Sequence, residues 1–109
     1  MYKGVIVENS LADKNILNQL DIQKTYVDDD WILHNVLISE DQIFQLAKCL
    51  TDGPWYIHFW QDENDDILVV FKDKTFRIKK SDTSTWSDAI SHGKSIGISQ
   101  EQLDFKISW

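Results

Sequence analysis

From Trp31 to Trp55 the chain reads WILHNVLISEDQIFQLAKCLTDGPW, and this stretch decides the fold class. Its opening run, Trp31 to Ile38, predicts a strand with Trp31, Leu33, Asn35 and Leu37 on one face and Ile32, His34, Val36 and Ile38 on the other. Both sets are largely apolar, as in a strand covered on at least part of each side. At Ser39 the period changes to that of a helix. The Ser39 hydroxyl can accept from the backbone of Gln42 while the Gln42 side chain reaches back, which makes a capping box. Ile43, Leu46, Ala47 and Leu50 then form one helical stripe, and Gly53-Pro54 ends it. Trp55 to Gln61 follows as a strongly aromatic strand.

The flanks supply the remaining elements. Upstream, the β-branched run Val5 to Val7 predicts a short buried strand. Ser10 and Asp13 have capping-box spacing for a helix continued by Ile16, Leu17 and Leu20, and Ile22 to Val27 reads as a strand closed by Asp28-Asp29-Asp30. Downstream, the acidic turn Asp62 to Asp66 leads into a return strand, Ile67 to Phe71. Asp73-Lys74 then turns the chain into Thr75 to Lys79. Thr85-Trp86-Ser87-Asp88 caps a third short helix that closes at Gly93, with Gly93 as a left-handed C-cap. The tail from Ser99 to Trp109 opens with Ser99 and Gln102 at capping-box spacing, predicting one helical turn and an extended end. The order strand, helix, strand, strand, helix, strand is that of the ferredoxin-like split βαβ sandwich, an antiparallel sheet with two helices on one face. Here a β-hairpin and a short C-terminal helix extend it. A length of 109 residues predicts a single α+β domain over 1–109.

Composition narrows the function classes. Eighteen acidic residues against eleven basic ones give a net charge of −7, which disfavours a nucleic-acid partner, because phosphate attraction needs a basic surface. Cys49 is the lone cysteine and cannot form an internal disulfide. Set among Leu46, Ala47 and Leu50 it reads as a small buried hydrophobe. The N-terminal apolar run is too short for a signal peptide or a membrane span, so the expectation is a cytoplasmic protein with no membrane partner.

Motifs that would carry chemistry fail on inspection. Asp62, Asn64 and Asp66 match the first ligands of a calcium loop, but Ile67 stands where the loop needs Gly and Asp73 where it needs Glu. Gly93-Lys94-Ser95 resembles the end of a phosphate-binding loop, yet Asp88 replaces the first Gly. No metal or cofactor is expected. No Ser-His-Asp set has the spacing of a nucleophile turn. Lys72, Lys74, Arg77, Lys79 and Lys80 read as lysine protection of an edge strand.

Two constellations remain. His34 shares its strand face with apolar residues, and His58 shares one with Tyr56 and Trp60. In the expected sheet their strands flank the first strand, about 10 Å apart, so His34, Tyr56, His58 and Trp60 are candidates to line one ligand cleft. His92, at a helix end, reads as a cap partner whose protonation is favoured. Five Trp residues, at 31, 55, 60, 86 and 109, are also many for so short a chain to bury. Trp55, Trp60 and Trp109 are the interface candidates, with Tyr56 beside them.

Gly4-Val5-Ile6-Val7-Glu8-Asn9-Ser10-Leu11, the Trp31…His34 strand, Pro54-Trp55-Tyr56 with Phe59, Val70-Phe71 with Phe76, and Ile98-Ser99…Gln102-Leu103-Asp104-Phe105 together carry a resemblance. The pattern resembles a group of small, uncharacterised prokaryotic proteins of similar length. The resemblance implies an α+β domain with no assigned activity and transfers no functional residue. The leading expectation is a non-enzymatic protein-interaction or regulatory domain. Its partner is itself, as a homodimer through an aromatic patch, or an unidentified protein. The alternative is a small enzyme or small-ligand binder using the histidine cleft.

Overall fold

The strand expected from Trp31 to Ile38 forms over those residues and organises its neighbours. In the computed structural model, which describes residues 1–105 and 107, it is β3 (Trp31–Ile38), flanked by β1 (Tyr2–Val7) and β2 (Asp21–Asp28). β1 also pairs with β4 (Ile57–Trp60), β4 with β5 (Asp66–Phe71), and β5 with β6 (Lys74–Lys79). Every pair is antiparallel, and the six strands lie in the order β2-β3-β1-β4-β5-β6. Two α-helices accompany the sheet, α1 (Glu40–Ala47) and α2 (Ser87–Ser95). Among the described residues no helix is long and apolar enough to cross a membrane.

Register assigns each side chain to a face. Gly4 lies opposite both Val36 and Phe59, so Tyr2, Ile6, His34, Val36, Ile38, Ile57 and Phe59 share one side of the sheet. Onto that side pack Ile43, Leu46 and Ala47 of α1, with Leu11, Ile16 and Leu50. The opposite side carries Trp60, Ile67, Val69, Phe71 and Ile78. Ala89 of α2 covers it, together with Ile98, Leu103 and Phe105. β5 is therefore buried along nearly its whole length, whereas β2 is exposed at every position but Tyr26.

The cap on α1 is the one the sequence predicts. Ser39 Oγ accepts from the Gln42 amide at 3.2 Å and Gln42 Oε1 accepts from the Ser39 amide at 2.9 Å, with Glu40 and Asp41 in the first turn. The helix stops at Ala47, shorter than expected, and Leu50 instead bridges to Leu11. Cys49, just past the helix end, is half-buried, and burial followed by the Asp13 carboxylate pushes its thiol pKa up, so it is no reactive thiolate.

Several expectations are corrected. The first helix is not α-helical: residues Lys14–Gln19 form a 3-10 helix. Ser10 does not cap it, because its hydroxyl donates to the Val7 carbonyl at 2.6 Å; Asp13 is the cap, accepting from the Asn15 amide at 3.0 Å. This 3-10 segment and α1 do pack on the same face, with Ile16 beside Ile43 and Leu46, while the later helix α2 covers the opposite side of the sheet. Gly93 is no C-cap. It lies inside α2, where a Cβ would fall 2.8 Å from Leu103 Cδ2, so close packing is what demands glycine there. The left-handed residue is Gly97, at φ 97°. Its amide donates to Lys94 O and the Ile98 amide to Gly93 O, which is the Schellman pattern. Ser99 makes no side-chain cap, although Gln100–Gln102 does form a single 3-10 turn.

Candidate functional site

The four cleft candidates do not come together. Phe59 shares the face of Val36 and His34, so His58, one residue earlier, points to the other side of the sheet. The cleft expected around His34, Tyr56, His58 and Trp60 is thereby divided by the sheet itself. His34 is buried against the α1 side, with Nδ1 2.8 Å from Thr25 Oγ1 and Nε2 3.0 Å from Glu8 Oε1. Both ring nitrogens are thus satisfied by groups from β2 and from the turn after β1, which pins that corner of the sheet.

His58 belongs to an aromatic ladder along β4. Its ring lies 6.2 Å from Tyr56, 5.8 Å from Trp60 and 6.0 Å from Phe105, centroid to centroid. Trp60 is buried at 5% exposure, so it is core and not interface. His92 packs its ring 4.7 Å from Phe71. Burial, and then the Lys74 charge, lower its pKa, the reverse of the protonated cap expected from sequence. Trp109 lies outside the described residues.

What the fold does assemble is an aromatic groove at one end of the sheet. Val7 closes β1, Trp31 opens β3, Pro54, Trp55 and Tyr56 lead into β4, and Ile98 follows the α2 cap; together they line about 580 Å³. Gly97 and Gln102 also line it. Trp31 is 42% exposed, and its ring meets that of half-buried Trp55 edge-on at 5.2 Å. Tyr56 Oη donates to the Gln102 carbonyl, tying the C-terminal turn to the groove wall. Burial first, and the Asp104 carboxylate second, push the Tyr56 pKa up to about 12, so the phenol stays neutral and is no base near pH 7. Among the described residues, no nucleophile and no group that titrates near neutrality lines the groove. Of the residues singled out from sequence, this groove takes Trp55 from the interface candidates and Tyr56 from the cleft candidates; Trp31, which was not among them, reaches the groove because β3 and the Pro54 loop meet in space.

The acidic turn has other employment. Asp62 pairs with Lys3, Asn64 Oδ1 accepts from the Asp66 amide at 2.9 Å, and Asp66 binds Lys79 and Arg77 at 2.5 and 3.1 Å. Among the described residues no group of three His, Cys, Asp or Glu is placed to hold a metal ion. No protein-family model, curated protein or solved structure matches this chain.

Proposed function

We propose that the protein is a non-enzymatic interaction domain whose aromatic groove receives an apolar side chain of a partner protein. The observation that carries this reading is the half-exposed Trp31–Trp55 pair walling an apolar hollow in which, among the described residues, there is no nucleophile or near-neutral base. Indoles suit such a role, because each hides a large area while freezing few rotors, and interface hot spots are enriched in them. The net charge of −7 supports a partner with a basic rim, whose encounter it would accelerate.

Selection from a displayed random peptide library tests the reading. The expected ligands carry an aromatic or leucine anchor, shift the amides of Val7, Trp31, Trp55 and Ile98, and lose binding in Trp31→Ala by roughly 2 kcal/mol or more, the hot-spot range. Peptides that bind elsewhere, or a groove filled only by small apolar molecules, would overturn it in favour of a ligand binder.

Two finer readings belong with this proposal. The ferredoxin-like unit is supported by the order β2-β3-β1-β4 of the first four strands, although its first crossover is 3-10 and β5 and β6 extend the sheet. A cytoplasmic location is supported by the lone, half-buried Cys49.

A further inference from the structure

The two borders of the sheet differ. At β6 the backbone of Lys79 is occupied from outside: its amide donates to Thr85 Oγ1 at 2.9 Å, and its carbonyl accepts from Trp86 Nε1 at 2.7 Å. At the other border stands β2, last in the strand order, exposed at seven of its eight residues, with Val27 71% exposed. A long strand left open in this way is a template for another strand.

The occupant follows from the register of β2. Opposite β3, Lys24, Thr25, Tyr26, Val27 and Asp28 pair regularly, and the irregularity between Ile22 and Lys24 marks the limit of that run. Lys24, Tyr26 and Asp28 share the face of Trp31 and Asn35, as the Lys24 ammonium 5.3 Å from the Tyr26 ring centroid also shows; Thr25 and Val27 share that of His34. A twofold axis perpendicular to an antiparallel pair must pass through a residue opposed to its own copy, because directly opposed pairs alternate between bonded and non-bonded types. An axis through Lys24 opposes ammonium to ammonium. One through Thr25 sets Lys24 against Tyr26, and one through Val27 carries Lys24 beyond the strand end. The axis through Tyr26 opposes Lys24 to Asp28 twice, Thr25 to Val27 twice, and Tyr26 to itself. Every pair then falls on a common face, with opposite charges across and β-branched side chains together.

We propose that two copies of this chain join edge to edge through β2, antiparallel about Tyr26, so that two six-stranded sheets become one. This contact is separate from the aromatic groove and does not depend on it.

Sedimentation of the full chain over a wide concentration range tests the pairing. A reversible dimer is expected. Lys24→Asp and Asp28→Lys should each weaken it by roughly tenfold, because each sets like charges opposite one another twice. The double exchange should restore it, and these exposed positions leave the monomer folded. In a Cys49→Ser background, Tyr26→Cys should form an intermolecular disulfide on mild oxidation while Lys24→Cys does not. A chain monomeric throughout would overturn the proposal, as would single variants without effect or a double exchange without rescue. A dimer dissolved by Trp55→Ala but indifferent to the charge reversals would place the contact at the groove and also overturn it. Failure of the peptide selection would leave this result untouched.

Discussion

At Gly4 the close approach of β1 and β4 leaves no room for a side chain. A Cβ there would lie 2.2 Å from Phe59 Cδ1 and 3.1 Å from the His58 carbonyl oxygen, and Phe59 is fully buried and cannot withdraw. Gly4→Ala is expected to cost about 1–3 kcal/mol through overpacking, read as a lower urea midpoint at an unchanged slope. Nothing next to Gly4 in the chain reveals this, because Phe59 reaches it from 55 positions away. His34 shows the same division. Its face was legible from the alternation of Trp31 to Ile38, but its ligands, Glu8 and Thr25, stand on other segments and carry no spacing signal.

Between elements, α1 is fastened to the sheet by a charged network. Arg77 of β6 binds Glu40 in the first turn of α1, Asp66 of β5 and the Tyr2 hydroxyl of β1. The hydrogen bond from Lys79, ahead of the Lys79 and Arg77 charges, holds the Asp66 pKa below its ordinary value. A depressed folded pKa means that the unfolded chain takes up the proton first. This contribution is therefore present above the ordinary aspartate pKa, near 4, and is lost as pH falls through the folded value. Urea midpoints measured across the acid range should fall, and should fall less steeply in Asp66→Asn. The basic residues from Lys72 to Lys80 read from sequence as edge protection, but Arg77 turns inward to α1 because its parity on β6 matches that of Leu68 on β5, and Lys79 pairs with Asp66. The first helix was misread for a local reason. Asn15 and Asn18 are weak helix formers, and the Ser10 hydroxyl is diverted to Val7, so the segment tightens into a 3-10 helix.

Across the whole molecule, protection should follow depth in the sheet. At dilutions where the chain is monomeric, native-state hydrogen exchange is expected to be slowest in β5, whose residues from Ile67 to Phe71 are all buried, and fastest among the strands in β2. Equal protection in the two would contradict the layering described above. Because β4 gives Phe59 to one core and Trp60 to the other, neither layer has a sheet of its own to keep if its partner is lost. By itself the sequence determined that a strand lies in each of the six segments, the cap of α1 and the two faces of β3. These depend on period, propensity and hydrogen bonds between near neighbours. Only the tertiary structure decided that α2 crosses to the far side, that His34 and His58 are parted by the sheet, and that Trp31 meets Trp55. Those outcomes depend on which strands pair and in what register, and that pairing is chosen by burial summed over segments far apart in the chain.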